Sequence, residues 1–124
     1  MDITPLVPLG SQVIHGYGPG MFRIANAVHA GSVLVLPDRT VSWDALSIDA
    51  ISAGDFQPII AAEPPCDILL LGCGERMQLP PEALRAELRG HGISIDPMDT
   101  GAACRTFNVL LAEGRRVAAA LIAL

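Results

Sequence analysis

The segment DPMDTGAACRTF holds several groups that could do chemistry within a few residues. Asp99 can cap a helix there, and the exposed backbone N–H groups at a helix start favour an anion. Cys104 follows Thr100 by one helical turn, and a thiol near a helix N-terminus can have a lowered pKa and act as a nucleophile. The structural alternative is a cap followed by a small apolar residue. No histidine is placed as a base, so the sequence assigns no catalytic residue and leaves Cys104 as a candidate.

Three further residues of this helix are predicted to line the face beside Thr100 and Cys104, namely Gly101, Arg105 and Asn108. Together with the helix start, Arg105 could hold a small anionic ligand. The segment is therefore a candidate binding site even if the thiol is inert.

The loop in LLLGCGERMQLP follows a buried strand and precedes a helix, which is where α/β proteins bind ligands. Gly72 and Gly74 suggest a dinucleotide site, but Met77 occupies the third glycine position, and no P-loop pattern follows. The glycines are explained more simply by a tight turn. A backbone groove for another small group stays open as an alternative.

The elements between these segments predict that the two meet. Residues 67–96 show a strand, a helix and a second strand, the pattern of a parallel βαβ unit. The loops that follow two parallel strands lie at the same edge of the sheet, so residues 72–76 and 99–105 should face one crevice. The glycine-rich hairpin GYGPGMFR is predicted to supply its rim through Phe22 and Arg23.

The remaining patterns indicate an α/β fold. Residues 1–12 contain two prolines and predict an extended lead-in, and short antiparallel strands follow. A second helix runs from the Asp99 cap through Glu113 to a stop at Gly114, and the apolar run VAAALIAL closes the sheet. We predict one three-layer domain over residues 1–124, with a central mixed sheet, helices packed on it and an N-terminal antiparallel extension.

Composition narrows the class of function. The net charge of −5 argues against nucleic acid as a partner, and no apolar run reaches the roughly 20 residues of a membrane span. Three cysteines without a zinc spacing favour a reducing compartment, the cytoplasm, and no metal. The N-terminus lacks the pattern of a signal peptide.

Several segments together resemble a known family. GYGPGMFRI, GSVLVLP, DILLLGCG and MDTGAACRTFNVLLAEGRRVAAAL occur in that order, and they are similar to the Mth-like α/β domains. The eukaryotic relatives in that family include the mitochondrial complex I assembly factor three and an adipogenesis-associated protein. The resemblance covers nearly the whole chain. It places the motif residues at Gly16, Gly18, Phe22, Arg23, Gly72, Gly74, Met98, Asp99, Thr100, Gly101, Cys104, Arg105 and Asn108.

This resemblance implies a compact three-layer fold, no agreed cofactor and no established activity. Cys73 departs from the pattern, because the family usually has threonine between the two glycines. Our first hypothesis is a non-enzymatic binding domain that assists a larger complex, with respiratory complex I or another membrane complex as the object. The alternative is a small-molecule or thiol-dependent enzyme that uses the same crevice. A protein partner and a monomer or homodimer are expected.

Overall fold

Two β-sheets of different size organise residues 10–124, which are the residues that the computed structural model of this chain describes. Residues 1–9 of the predicted lead-in lie outside this range. The smaller sheet is antiparallel and has the strand order β1 (Ile14–Gly18), β2 (Met21–Ile24) and β3 (Ala27–Ala30). It corresponds to the predicted N-terminal extension.

The larger sheet is mixed, as predicted. Its strands are β4 (Val33–Val35), β5 (Thr40–Ser42), β6 (Ile68–Gly72), β7 (Ser94–Met98) and β8 (Val117–Leu121). They lie in the order β5-β4-β8-β6-β7. Strands β6, β7 and β8 are parallel to one another, and β4 is antiparallel to both of its neighbours, β5 and β8. Strand β6 is therefore central among the parallel strands, and its apolar sequence ILLLG suits burial on both faces.

Three α-helices connect or flank these strands, namely α1 (Gln57–Ile60), α2 (Glu82–Gly90) and α3 (Thr100–Ala112). The predicted parallel βαβ unit is formed by β6, α2 and β7. Helix α3 starts at its Asp99 cap, where the carboxylate accepts a hydrogen bond from Ala102 N–H at 2.8 Å. It ends one residue earlier than predicted, and Gly114 follows with φ 77°, which supports the predicted stop.

The core has one part on each face of the larger sheet, which gives the three layers. Leu84 and Leu88 of α2 pack on one face together with Trp43 and Phe56. Phe107 of α3 packs on the other face, where the smaller sheet contributes residues of β1 and β2. The closing strand β8 is buried along its whole length, and its run of alanines leaves room for both layers.

Strand β3 was not predicted as a separate element. The turn before it consists of Ala25 and Asn26, and Ala25 adopts φ 50° without the glycine that marks such turns in a sequence. Within residues 10–124, no helix has the length and apolar character needed to cross a bilayer.

Candidate functional site

Thr100 sits at the junction of three elements and is fully buried. Its hydroxyl accepts a hydrogen bond from Gly74 N–H and donates one to Ile122 C=O, both at 2.8 Å. Its own backbone N–H donates to Gly74 C=O at 2.9 Å. The side chain therefore joins the start of α3 to the loop after β6 and to the end of β8.

These bonds close the predicted crevice. Helices α2 and α3 follow two neighbouring parallel strands and lie on opposite faces of the sheet, an arrangement that usually opens a cleft between the two loops. Here the loops touch instead, since Cys73 N–H donates to Met98 C=O at 2.9 Å. A Cβ on Gly72 would lie 3.1 Å from the Cα of Thr100. The two segments are adjacent as predicted, but the close approach at Gly72 leaves no open groove there.

The glycines of this loop serve the backbone, as the simpler interpretation held. Gly74 has φ 96°, a conformation that other residues rarely adopt. Cys73 between them is buried, and its Sγ lies 3.4 Å from Gln78 C=O. The departure from the family's threonine thus leaves the turn intact.

Gly101 accommodates a tyrosine from the smaller sheet. Tyr17 of β1 lies across the first turn of α3, and a Cβ added to Gly101 would come within 2.5 Å of the phenol oxygen. Arg105 donates a hydrogen bond to that oxygen at 3.1 Å. The glycine, the tyrosine and the arginine therefore form one contact between the sheet and the helix, which covers the face predicted to bind a ligand.

Asn108 forms a second contact of the same kind one turn further along α3. Its Oδ1 accepts a hydrogen bond from Ile14 N–H, and its Nδ2 donates one to Ile14 C=O, each at 2.8 Å. The amide side chain thus forms, at the outer edge of β1, the two hydrogen bonds that a neighbouring strand would otherwise make with Ile14.

Phe22 does not rim a site, and that prediction is wrong. Its side chain is 1% exposed and packs in the core beside α3. Arg23 is exposed, because side chains alternate along β2 and Phe22 and Ile24 point inward. The alternation in MFRI was the signal that separates the two residues.

Cys104 lacks the properties of a nucleophile. Its side chain is 2% exposed, and burial raises the pKa of the thiol to about 12. The thiol does not have the lowered pKa that a helix N-terminus can give, because loss of solvent outweighs the effect of nearby Arg105. Burial likewise raises the pKa of Cys66 and Cys73. The thiol-enzyme alternative therefore has no support at this position.

The start of α3 also offers little to an anionic ligand. The carboxylate of Asp99 already occupies it, and the N–H groups of Thr100 and Ala102 are bonded within the protein. Arg105 is engaged by Tyr17. Among the described residues, no group of three or more His, Cys, Asp or Glu side chains could hold a metal ion.

An exposed apolar loop lies next to this junction, and it was not among the sites predicted from the sequence. Met77 and Leu79 follow Gly74 in the connection between β6 and α2, and they are 54% and 69% exposed. Glycine spacing drew attention to the first half of the loop, whereas two exposed apolar side chains mark the second half. Exposed apolar side chains that form a contiguous patch are a feature of protein interfaces, whereas single ones are normal on a surface.

These features define a class of protein. The chain is a small α/β domain with a mixed five-stranded sheet, and a three-stranded sheet covers one helix. The residues between its helix start and neighbouring strands bind one another. Such a site holds the fold together.

Comparison with known proteins gives the family. Residues 14–122 match the family described as "Protein of unknown function (DUF498/DUF598)", and the chain belongs to it. A crystal structure of a Bartonella henselae protein, called an outer membrane protein, has a TM-score of 0.84 at 40% identity. It covers 92% of this chain and 96% of its own. A Bordetella pertussis Mth938-like domain has a TM-score of 0.83 at 23% identity, with 99% and 92% covered, and shares the fold.

Two curated relatives show the range of the family. An uncharacterised Rhodobacter capsulatus protein is 41% identical over 113 residues, which is 91% of this chain and 86% of that one. The Danio rerio NADH dehydrogenase [ubiquinone] 1 alpha subcomplex assembly factor 3 is 36% identical over 110 residues. That match takes in 89% of this chain but only 63% of the assembly factor's length.

Proposed function

We propose that this chain is a protein-binding domain that assists the assembly of a larger complex, with respiratory complex I as the first candidate. The observation that carries the proposal is the exposed pair Met77 and Leu79 in the loop after β6. The relatives named as assembly factors support the role, and the chain spans about three fifths of their length.

The geometry favours binding over catalysis. Most polar residues of the family motif bond to the protein itself, and the thiol beside them is buried. A protein surface, by contrast, needs only exposed apolar side chains on a well-positioned loop. Gly74 and Thr100 hold the base of this loop through two hydrogen bonds.

We further propose a cytoplasmic location, because the three cysteines are free. The oligomeric state, monomer or homodimer, stays a prediction.

The test is affinity capture of the tagged chain from solubilised membranes and from soluble extract of the organism that encodes it. We expect complex I subunits or their assembly intermediates among the captured proteins. The variant Met77→Asp/Leu79→Asp should lose them, since charged groups oppose burial in an apolar interface.

The matched control is Val109→Asp, which places the same charge at a position that is 56% exposed on α3. It should capture the same proteins as the unmodified chain. Recovery of no complex I component, or equal recovery by the double variant, would overturn the proposal.

A further inference from the structure

The two sheets present four edge strands, and the chain treats one of them differently. An edge strand exposes unpaired N–H and C=O groups, which can pair with another chain unless something blocks them. The edges here are β1 and β3 in the smaller sheet and β5 and β7 in the larger one.

Three of the edges carry a blocking feature. At β1, the side chain of Asn108 takes both backbone groups of Ile14. At β7, the backbone groups of Asp96 and Met98 bond to β6, so the backbone of Pro97 between them faces the open edge. Proline has no N–H with which another strand could pair. At β5, the strand has only three residues, and an edge is protected when its strand is very short.

Strand β3 has no such feature within the described residues. Gly31 N–H donates a hydrogen bond to Gly20 C=O. In an antiparallel pair of strands every second residue bonds to the partner strand, so His29 bonds to Phe22. The backbone N–H and C=O groups of Val28 and Ala30 therefore point away from β2. The sequence AVHA contains no proline and no acidic or basic residue other than histidine. The side chain of Val28 is 66% exposed.

The charge around this edge is distinct from that of the rest of the chain. The protein has 13 acidic residues and a net charge of −5, yet residues 10–37 contain none of the acidic residues. Arg23 is exposed on β2 directly opposite Val28. A strand added beyond β3 would lie roughly 10 Å from β2, within reach of the combined lengths of an arginine and a glutamate side chain.

We infer that β3 accepts an extended, acidic segment of a partner protein as a fourth strand. The backbone of Val28 and Ala30 would pair with the segment, an apolar side chain would pack on Val28, and an acidic side chain would face Arg23. This inference rests on the proposed function as a protein-binding domain, but it uses a surface other than the loop with Met77 and Leu79. A second copy of the chain is a poorer occupant, because its own β3 and the surrounding residues 10–37 carry no acidic side chain that could face Arg23.

The direct test uses a capped peptide of seven residues in which valine alternates with glutamate and threonine, and a matched peptide with lysine for glutamate. Binding to the 15N-labelled chain is followed by NMR. We expect the amide signals of Val28 and Ala30 to shift and their hydrogen exchange to slow. The lysine peptide should bind several-fold more weakly. No shift at β3 at millimolar peptide, or equal binding of both peptides, would overturn the inference.

Variants separate backbone pairing from charge. Val28→Pro removes an outward N–H that the ladder with β2 does not use, so the fold should persist while peptide affinity falls by roughly tenfold. Val28→Thr keeps that N–H and should bind as before. Arg23→Glu should weaken binding of the acidic peptide. Arg115→Glu, which changes an exposed arginine elsewhere on the chain, should leave that binding unchanged.

A photo-cross-linker distinguishes this inference from the proposed function. Placed at position 28, it should yield cross-linked partner peptides that are acidic and extended, whereas position 77 should report the loop surface. Cross-links at position 77 alone would reject the edge and keep the binding function. Cross-links at position 28 alone would keep the edge and reject the loop, and none at either position would reject both.

Discussion

Asn108 and Ile14 are joined by two hydrogen bonds of 2.8 Å across 94 residues of sequence. The side chain of one satisfies both backbone groups of the other, and this attaches the smaller sheet to α3. A sheet of three short strands has little stability of its own. The pair therefore helps to hold the smaller sheet in place, together with the hydrogen bond from Arg105 to Tyr17 and the packing of Phe22.

Asn108→Ala should lower the free energy of unfolding by about 2–3 kcal/mol, because it removes two hydrogen bonds and leaves Ile14 N–H and C=O unpaired in a part-buried site. Urea unfolding measures the loss. Val109→Ala, on the exposed side of the same helix, should change stability by less than about 0.5 kcal/mol. An Asn108→Ala variant as stable as this control would show that the contact is dispensable.

Gly101→Ala should change the sign of its effect when Tyr17 is removed. In the unmodified chain the added methyl group meets the phenol oxygen at 2.5 Å, so Tyr17 must move, and loss of its hydrogen bond with Arg105 should cost about 0.5–1.5 kcal/mol. In a Tyr17→Ala background only Arg105 Nη1 remains close, at 3.3 Å, and alanine should then stabilise the helix by up to about 1 kcal/mol. A double-mutant cycle by urea unfolding checks this, and the same cost in both backgrounds would contradict it.

Thr100→Val keeps the shape of the side chain but loses both hydrogen bonds of the hydroxyl. Gly74 N–H and Ile122 C=O then lack their partner in a buried site, and we expect a loss of about 2–4 kcal/mol. Thr100→Ser retains the hydroxyl and should keep most of the stability. Thermal and urea unfolding compare the two variants, and a larger loss in Thr100→Ser than in Thr100→Val would assign the effect to packing of the methyl group.

Stability should fall in alkaline solution because of Cys104. In the unfolded chain this thiol loses its proton near its ordinary pKa of 9.0, whereas the folded chain holds the proton up to about 12. The contribution of this thiol to the free energy of unfolding is therefore fully present below pH 9 and is lost as the pH rises from about 9 to about 12. The slope from this thiol is at most about 1.4 kcal/mol per pH unit.

The measurement is urea unfolding at several pH values, in reductant, for the unmodified chain and for Cys104→Ala. The variant should start less stable and lose stability more slowly with pH. Parallel curves for the two proteins would show that other groups cause the alkaline loss.

The fold was predictable from local patterns. Apolar runs closed by glycine or proline located β4 and β6, and the Asp99 cap and Gly114 stop bounded α3. Parallel pairing of β6 and β7 followed from the helix between them. Strand β3 was missed because the positive φ angle of its turn falls on Ala25, and alanine carries no turn signal.

The site was only half predictable. Sequence order placed Gly74 and Thr100 at one edge of the sheet, but whether the loops stand apart or touch depends on the hydroxyl of Thr100. That group bonds to atoms 26 and 22 residues away along the chain. A sequence does not show such distances, so a closed junction and an open crevice look the same in it. The burial of Phe22, by contrast, was available from the alternation along β2.

The cover that Tyr17 forms over Gly101 has a consequence for how relatives of this chain are interpreted. Residues of the family motif such as Gly101 and Arg105 contact other elements of the same domain. Two proteins can share all of them and still serve different complexes, because their outward-facing segments are free to diverge. Sequences that keep these internal contacts but differ in residues 75–81 or in β3 are therefore the ones to compare when partners are assigned.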